Sequence, residues 1–226
     1  MKHIVVLTGA GISAESGIKT FRDADGLWEG HDVMDVATPE GFAKNPSLVL
    51  DFYNQRRKQL LEVAPNQAHF DLAALEKDFK VSIITQNVDD LHERAGSSKV
   101  IHLHGELLKA RSTHSDTDIM DCQTDILLGD LCKNGHQIRP HIVWFGEDVP
   151  MIEKAMAICE TADLLIIIGT SMQVYPAAGL MHYVPEQTPT YFIDPKPNVK
   201  SQKHLSVIAE NATIGMRKVF ELLKTV

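Results

Sequence analysis

A glycine-rich segment near the amino terminus has the residue types needed to bind phosphate groups. An apolar stretch at residues 4–7 leads into TGAGISAESG at residues 8–17. If a strand, a tight turn and a helix start follow one another here, the glycines let the backbone approach a pyrophosphate and the helix supplies N–H donors. The alternative is a tight strand-to-helix turn that binds no ligand.

The carboxylate expected to hold a ribose is present, but its context is unusual. Asp23 and Asp25 stand at about the right distance from the glycines, within FRDADGLW at residues 21–28. In a dehydrogenase this carboxylate follows a second strand. No strand pattern precedes it here, so an ordinary dinucleotide-dependent dehydrogenase is a poor fit.

Two further polar blocks carry side chains suited to ribose binding and acid–base chemistry. TQNVDD at residues 85–90 contains Gln86, Asn87 and Asp89, which can bind hydroxyl groups or an ordered water. HLHGEL at residues 102–107 contains His102 and His104, either of which could act as a general base near neutral pH. On one strand these two rings would share a face. The alternatives are structural histidines and an Asp89 that caps a turn.

A tyrosine and an arginine three residues apart could bind an anionic group together. Tyr53 and Arg56 lie in a helix-like stretch, where positions i and i+3 share a face. A guanidinium binds a carboxylate through two hydrogen bonds, and a phenol can add a third. The alternative is a tyrosine in the core and a solvated arginine on the helix surface.

The elements that would position these groups alternate along the chain. Short apolar runs at 4–7, 81–84, 164–168 and 191–193 do not alternate with polar residues, which is typical of parallel strands buried on both faces. Helix-like stretches at 47–63, 68–77 and 151–161 lie between them. The pattern predicts an α/β fold with a Rossmann-like, doubly wound parallel sheet.

The polar stretch 106–137 interrupts this alternation and predicts a small inserted module, with residues 25–65 as its helical part. We therefore expect a single catalytic domain over residues 1–226. Its large lobe would comprise about 1–24, 66–105 and 138–226, and its small lobe about 25–65 and 106–137.

Composition limits the classes of partner. The 22 basic and 30 acidic residues give a net charge of −8, which argues against nucleic-acid binding. No apolar run approaches the roughly 18 residues of a membrane span, and no signal peptide is evident. The three cysteines do not form a disulfide framework. We expect a cytoplasmic monomer without a membrane partner.

Five blocks, in order and spanning residues 4 to about 195, resemble the sirtuin family. They are GAGIS at 9–13 with FRD at 21–23, TQNVDDLH at 85–92, HLHGEL at 102–107, RPHIVWFGE at 139–147, and IGTSM at 168–172 with VYPA at 174–177. The resemblance implies an NAD-dependent protein lysine deacylase that releases nicotinamide and O-acyl-ADP-ribose, with acyl-lysine proteins or peptides as partners.

The resemblance also implies roles for individual residues. His104 falls at the family's catalytic histidine, with Asn87 and Asp89 beside it in the catalytic set. Residues implied in NAD binding are Gly9, Ala10, Gly11, Ser13, Glu15, Phe21, Arg22, Gln86, Asn87, Asp89, Gly169, Thr170, Ser171 and Asp194. Residues implied in the peptide cleft are Val143, Trp144, Phe145, Gly146, Glu147 and Val174, although Trp144 could equally belong to the core.

The acyl preference is implied by Tyr53 and Arg56. Their spacing resembles the desuccinylase-like class III branch, so we expect a desuccinylase and demalonylase with some deacetylase activity. A sirtuin-fold ADP-ribosyltransferase or NAD hydrolase is the alternative, and a non-catalytic NAD-sensing module is a third hypothesis from another class.

The sequence departs from the family in two places. Ser112 and Ser115 stand where a first pair of zinc cysteines is expected, and only Cys132 with His136 lies near the second. We therefore expect no zinc, and a module held by packing of Ile119, Met120, Ile126, Leu127, Leu128 and Leu131. Asp194 replaces the family's usual asparagine, and as a carboxylate it can only accept hydrogen bonds.

Overall fold

The computed structural model describes residues 1–19, 27–28 and 30–224. Phe21 and Arg22, which the sequence places at the nucleotide, lie outside these residues, as do Asp23 and Asp25. The strands are β1 (His3–Thr8), β2 (Leu27–Trp28), β3 (His31–Asp32), β4 (Lys80–Thr85), β5 (Val100–His102), β6 (Gly105–Ser112), β7 (Ile119–Asp121), β8 (Ile138–Ile142), β9 (Leu164–Ile168), β10 (Thr190–Ile193) and β11 (Leu205–Ile208).

Seven α-helices connect or flank these strands within the described ranges. They are α1 (Val33–Val36), α2 (Pro39–Lys44), α3 (Pro46–Glu62), α4 (Gln67–Ala74), α5 (Leu91–Arg94), α6 (Ile152–Cys159) and α7 (Ala212–Lys224). In the described parts of the chain, none of them has both the length and the apolar character that crossing a bilayer requires.

The main sheet has six parallel strands in the order β11-β10-β9-β1-β4-β5. Every residue of β1 is buried, because Ile4 and Val6 face a layer containing α4 and α7 while Val5 and Leu7 face a layer containing α6. The predicted α/β, doubly wound fold is confirmed. The sequence patterns did not identify β5 and β11, which are short strands at the two edges of the sheet.

A second, antiparallel sheet has the order β7-β6-β8. Since β8 pairs with β6, this sheet extends beyond the predicted lobe boundary at residue 137. The helix α3 packs beside it. Asn45 accepts from the amide of Leu48 at 3.2 Å and Pro46 occupies the first turn, which fixes where α3 begins.

The packing predicted for the small module is correct only in part. Ile126 is buried and packs with Leu50 of α3 and Ala110 of β6. Leu127, Leu128 and Leu131 were also predicted to pack, but they are 61%, 63% and 59% exposed, so that prediction is wrong. Polar pairing contributes instead, because the side chain of Asn54 exchanges two hydrogen bonds of 2.9 Å with the backbone of Ile126.

The loops after β1 and β9 touch each other through glycines. The amide of Gly11 donates to the carbonyl of Gly169 at 2.8 Å. A Cβ on Gly9 would lie 2.7 Å from the Cβ of Thr170, and a Cβ on Gly169 would overlap the backbone of Gly11 and Ile12. These glycines are therefore required by contact between two loops, whatever the loops bind.

Replacing Gly169 with alanine is expected to destabilise the protein more than replacing Gly96. Both glycines have positive φ, +68° and +103°, so both variants carry backbone strain of about 1–2 kcal/mol. Only Gly169 would also collide with a neighbouring loop, because nothing lies within 4 Å of a Cβ on Gly96. Urea denaturation measures the difference, and equal losses for the two variants would contradict the loop contact.

The free energy of unfolding is expected to fall as the pH drops from about 6.5 to about 4. His69 and His92 pack together in the interior, with ring centroids 4.9 Å apart. Burial lowers the pKa of His69 to about 4 and the pKa of His92 well below its usual value of 6.5. Within that range the unfolded chain binds protons that the folded chain does not, so stability is lost.

His69 alone should account for roughly 3 kcal/mol of this loss. The variant His69→Gln keeps an acceptor for the amide of Asn66 but cannot titrate. Denaturation curves at pH 7, 5.5 and 4 should show a shallower decline for the variant. An unchanged decline would exclude His69 as the source.

Candidate active site

A cavity of about 850 Å³ opens at the carboxyl ends of β1, β4, β9 and β10, between the main sheet and the small module. This edge of a doubly wound sheet is where ligands generally bind. Predicted site residues that line it are Gly9, Ala10, Gly11, Glu15, Tyr53, Arg56, Gln86, Asn87, Asp89, His104, Val143, Trp144, Phe145, Gly146, Glu147, Gly169, Thr170, Ser171, Val174 and Asp194.

The sequence pattern predicted that a helix starts after β1 and its glycine-rich turn. The structure shows instead that this segment does not continue directly into an α-helix. It forms two 3-10 turns, Ala10–Ile12 and Ala14–Ser16. The segment contacts the loop after β9 through a hydrogen bond from the backbone of Gly11. This contact does not require the segment to be helical. The glycine-rich turn still forms part of the cavity wall.

Ser13, Asn87 and Asp89 form one hydrogen-bonded group. The side-chain amide of Asn87 donates to the hydroxyl of Ser13 at 3.1 Å, and that hydroxyl donates to the carboxylate of Asp89 at 2.9 Å. The amide of Leu91 also donates to Asp89 at 3.2 Å. Burial raises the pKa of Asp89, although these donors oppose the shift. The group fixes two polar side chains at the cavity wall.

The ring of His104 is oriented by a single carbonyl. Its Nδ1 lies 3.0 Å from the carbonyl oxygen of Gln86, which can only accept, so Nδ1 carries the proton. Burial lowers the pKa of His104 below its usual value. A neutral ring with a protonated Nδ1 leaves Nε2 as an acceptor, which is the state a general base requires.

His102 was expected to share a face with His104, but the structure separates them. His104 lines the large cavity, whereas His102 lines a different cavity of about 400 Å³ together with Glu106 and Asp121. The reason is that β5 ends at His102, so strand alternation no longer applies at residue 104.

Three other residues that were predicted to bind the nucleotide form hydrogen bonds within the protein. Gln86 donates to the hydroxyl of Thr170 at 3.0 Å, which joins the ends of β4 and β9. Asp194 accepts from the amide of Lys196 at 2.8 Å. Glu15 accepts from the amide and hydroxyl of Thr213 at 2.9 and 2.8 Å, so its carboxylate caps the start of α7.

Tyr53 and Arg56 lie three residues apart on α3. The indole of Trp144 donates to the phenol oxygen of Tyr53 at 3.0 Å. The guanidinium carbon of Arg56 lies 4.2 Å from the ring centroid of Trp28. Both residues are buried in the protein and line the cavity.

The segment 143–147, which was predicted to flank a peptide, is held in place by contacts of Glu147. Glu147 accepts from Arg139 at 2.7 Å, from Arg111 at 3.1 Å and from the amide of Trp144 at 2.8 Å. Its carboxylate therefore shapes the segment rather than facing a substrate. Trp144 is 2% exposed and belongs to the core while also contributing to the cavity wall. Phe145, by contrast, is largely exposed.

Some lining residues were not identified from the sequence, among them Trp28, Lys196, Asn211 and Ala212. Asn211 and Ala212 reach the site because α7 begins beside the end of β10. An asparagine just before a helical pattern was the available signal. Nothing local indicated that Trp28 lies against Arg56.

The positions expected to bear zinc cysteines come together without thiolate pairs. Cys132 Sγ lies 3.7 Å from the hydroxyl of Ser112, and the rings of His114 and His136 stack with centroids 3.9 Å apart. Over residues 1–19, 27–28 and 30–224, no group of three or more His, Cys, Asp or Glu side chains is placed to hold a metal ion.

Known proteins resemble this chain in sequence. The sequence profile of the Sir2 family matches residues 9–176. A curated relative from Helicobacter pylori named NAD-dependent protein deacylase is 58% identical over 224 residues, covering 99% of this chain and 98% of the relative.

Solved structures give the same result. The crystal structure of a Sir2 homolog–NAD complex has a TM-score of 0.89 at 39% identity and covers 99% of this chain and 90% of that one. A Sir2 variant with deacetylated p53 peptide and 3′-O-acetyl ADP-ribose has a TM-score of 0.81 at 30% identity, covering 97% and 92%. With its profile match and its near-complete overlap with these proteins, the chain belongs to the Sir2, or sirtuin, family.

Proposed function

We propose that this NAD⁺-dependent protein-lysine deacylase prefers short acidic acyl groups such as succinyl and malonyl. Family membership and the name of the Helicobacter pylori relative support the deacylase activity. The observation that carries the proposal is that Tyr53 and Arg56 line the same cavity as His104.

The residues of the cavity fit NAD⁺. The loops after β1 and β9 contact each other through glycines, and amide, hydroxyl and carboxylate groups line the cavity at Gln86, Ser171 and Asp194. These are the donor and acceptor types that bind phosphate and ribose oxygens. When bound, NAD⁺ supplies the ribose that accepts the acyl group and nicotinamide as the leaving group.

His104 takes the role of general base toward a ribose hydroxyl. Burial keeps the ring neutral at neutral pH, and the carbonyl of Gln86 holds the proton on Nδ1. Asn87 and Asp89 bind hydroxyls or an ordered water near the nicotinamide end. Ser13 restrains both side chains, so they require little reorganisation when a ligand arrives.

Replacing His104 with alanine is expected to lower deacylation at least about 100-fold, because proton transfer by a positioned base contributes this much or more. NAD⁺ binding should survive, since the glycine-rich loop is unaltered. Nicotinamide release from NAD⁺ with an acyl-lysine peptide and calorimetric NAD⁺ titration measure the two quantities. The variant His182→Ala removes an exposed histidine and should behave as the native protein. Substantial deacylation by His104→Ala would mean that another group is the base.

The acyl preference rests on how Tyr53 is hydrogen-bonded. Its oxygen accepts from the indole of Trp144, so its own O–H remains available as a donor. Burial raises the pKa of Tyr53, which keeps the phenol protonated at working pH. Arg56 adds a cation on the same side of the helix, and the cavity shields it from bulk water. A phenol donor beside a guanidinium is suited to a carboxylate at the end of a short acyl chain.

The variant Arg56→Met should lower kcat/KM for succinyl and malonyl peptides by about 10- to 100-fold, the equivalent of a lost hydrogen bond to a charged group. Activity on acetyl peptides should change far less. A panel of acetyl, malonyl, succinyl and glutaryl peptides on one sequence measures the preference.

The matched control is Lys58→Met, which removes a cation from the same helix α3. Lys58 pairs with Asp125 on the surface at 2.8 Å and does not line the cavity. It should leave the ratio of succinyl to acetyl activity unchanged. Equal losses across the whole panel for Arg56→Met would remove Arg56 from acyl recognition.

A further inference from the structure

His102 is a buried histidine that the reaction chemistry above does not use. Its side chain is 8% exposed and lies on the far side of the segment that carries Gln86 and Asn87. Nδ1 lies 3.0 Å from the carbonyl oxygen of Asn87, and Nε2 lies 2.8 Å from Oε1 of Glu93. The ring therefore connects a residue of the main cavity to a carboxylate near the surface.

The hydrogen-bond partners determine the protonation state of this ring. A backbone carbonyl and an ionised carboxylate are both acceptors, so both ring nitrogens must donate. Only the imidazolium form satisfies the two bonds together. His104 faces a single carbonyl, which is why the two neighbouring histidines differ in charge.

Charged groups from every adjoining element act on His102. Glu93 and His92 face it from α5, and Asp89 and Asp90 from the loop after β4. Glu106 and Lys109 lie on β6 beside the same small cavity, which Asp121 of β7 and Cys122 also line. Burial, the largest single influence, would by itself lower the pKa of His102. Glu93, the carbonyl of Asn87 and Glu106 together outweigh burial and raise the pKa. The hydrogen bond from His102 in turn lowers the pKa of Glu93 below its usual value.

We propose that His102 is a positioning residue: as an imidazolium paired with Glu93, it holds the carbonyl of Asn87 and so fixes the Asn87–Asp89 segment against the nucleotide. The inference rests on the proposed function, because it matters for catalysis only if that segment binds NAD⁺. The proposal concerns orientation and local charge, and His102 touches neither substrate nor nucleotide.

The other attachments of this segment explain why one carbonyl matters. The backbone amide of Asn87 donates to the hydroxyl of Thr85 at 3.0 Å, and its side chain is held by Ser13. The carbonyl bond to His102 is the attachment on the opposite side. Without it the peptide unit after Asn87 could rotate and carry Asp89 with it. The positive charge also opposes protonation of Asp89, whose pKa burial raises.

Nitrogen NMR of histidine-labelled protein tests the charge directly and needs no activity. In spectra at pH 7.5, assigned by loss of signals in His102→Gln, His102 should show two protonated ring nitrogens and His104 one. Substitution Glu93→Gln should lower the pH at which His102 loses its second proton. A neutral His102 at pH 7.5 would overturn the proposal, whatever the enzyme's activity proves to be.

Steady-state kinetics test the positioning role. His102→Gln and Glu93→Gln should each lower kcat/KM for NAD⁺ about tenfold, with the same ratio of succinyl to acetyl activity as the native protein. The double variant should be no worse than the poorer single variant, since both changes break one connected arrangement. The alkaline limb of the pH–rate profile should move to lower pH in Glu93→Gln.

Two controls separate positioning from loss of folding. Glu93 is 41% exposed, so Glu93→Gln should still fold and unfold in one cooperative transition. Lys109→Gln removes a charge facing the same small cavity and should leave NAD⁺ kinetics unaltered. Native kinetics in Glu93→Gln, or strictly additive losses in the double variant, would overturn the positioning role.

Discussion

The hydrogen bond from the amide of Gly11 to the carbonyl of Gly169 is the contact on which the site depends most. It joins the loops at the ends of β1 and β9, which are neighbours at the centre of the main sheet. The loop after β4 is tied to the same place through Gln86 and Thr170. Because the contact is made by backbone atoms at close range, glycine is required on both sides.

The hydrogen-bond acceptors around His102 and His104 differ, and they determine what each imidazole ring can do. Consecutive carbonyls, those of Gln86 and Asn87, receive hydrogen bonds from His104 and His102 respectively. Glu93 is present beside one ring only. Two histidines separated by one residue thus meet different sets of acceptors, and this difference underlies the separate roles proposed for them.

The part of the cavity around Tyr53 and Arg56 is assembled from three separate parts of the chain. Helix α3 carries Tyr53 and Arg56, Trp28 lies against the guanidinium, and Trp144 orients the phenol. Trp144 is itself fixed by Glu147, which two arginines of the small antiparallel sheet hold in place. The small antiparallel sheet therefore contributes to the shape of the cavity beside Tyr53.

Much of the fold could be predicted from sequence because it depends on local signals. Apolar runs without alternation predicted the central strands, and the helix-like stretch predicted at 47–63 corresponds to α3 (Pro46–Glu62). The edge strands β5 and β11 lack such runs. The leucines at 127, 128 and 131 show the limit of composition, since the apolar character of a side chain does not determine whether it is buried.

For the site, the sequence by itself determined the residue types, their order along the chain and the family to which they belong. Tertiary structure decided which atoms face each other. It placed Trp28 over Arg56, assigned Glu15 to the start of α7, and separated His102 from His104 into two cavities. The physical reason is that a charge state or a hydrogen-bond direction depends on partners distant in sequence, and only packing of the whole chain brings those partners within 3 Å or so of each other.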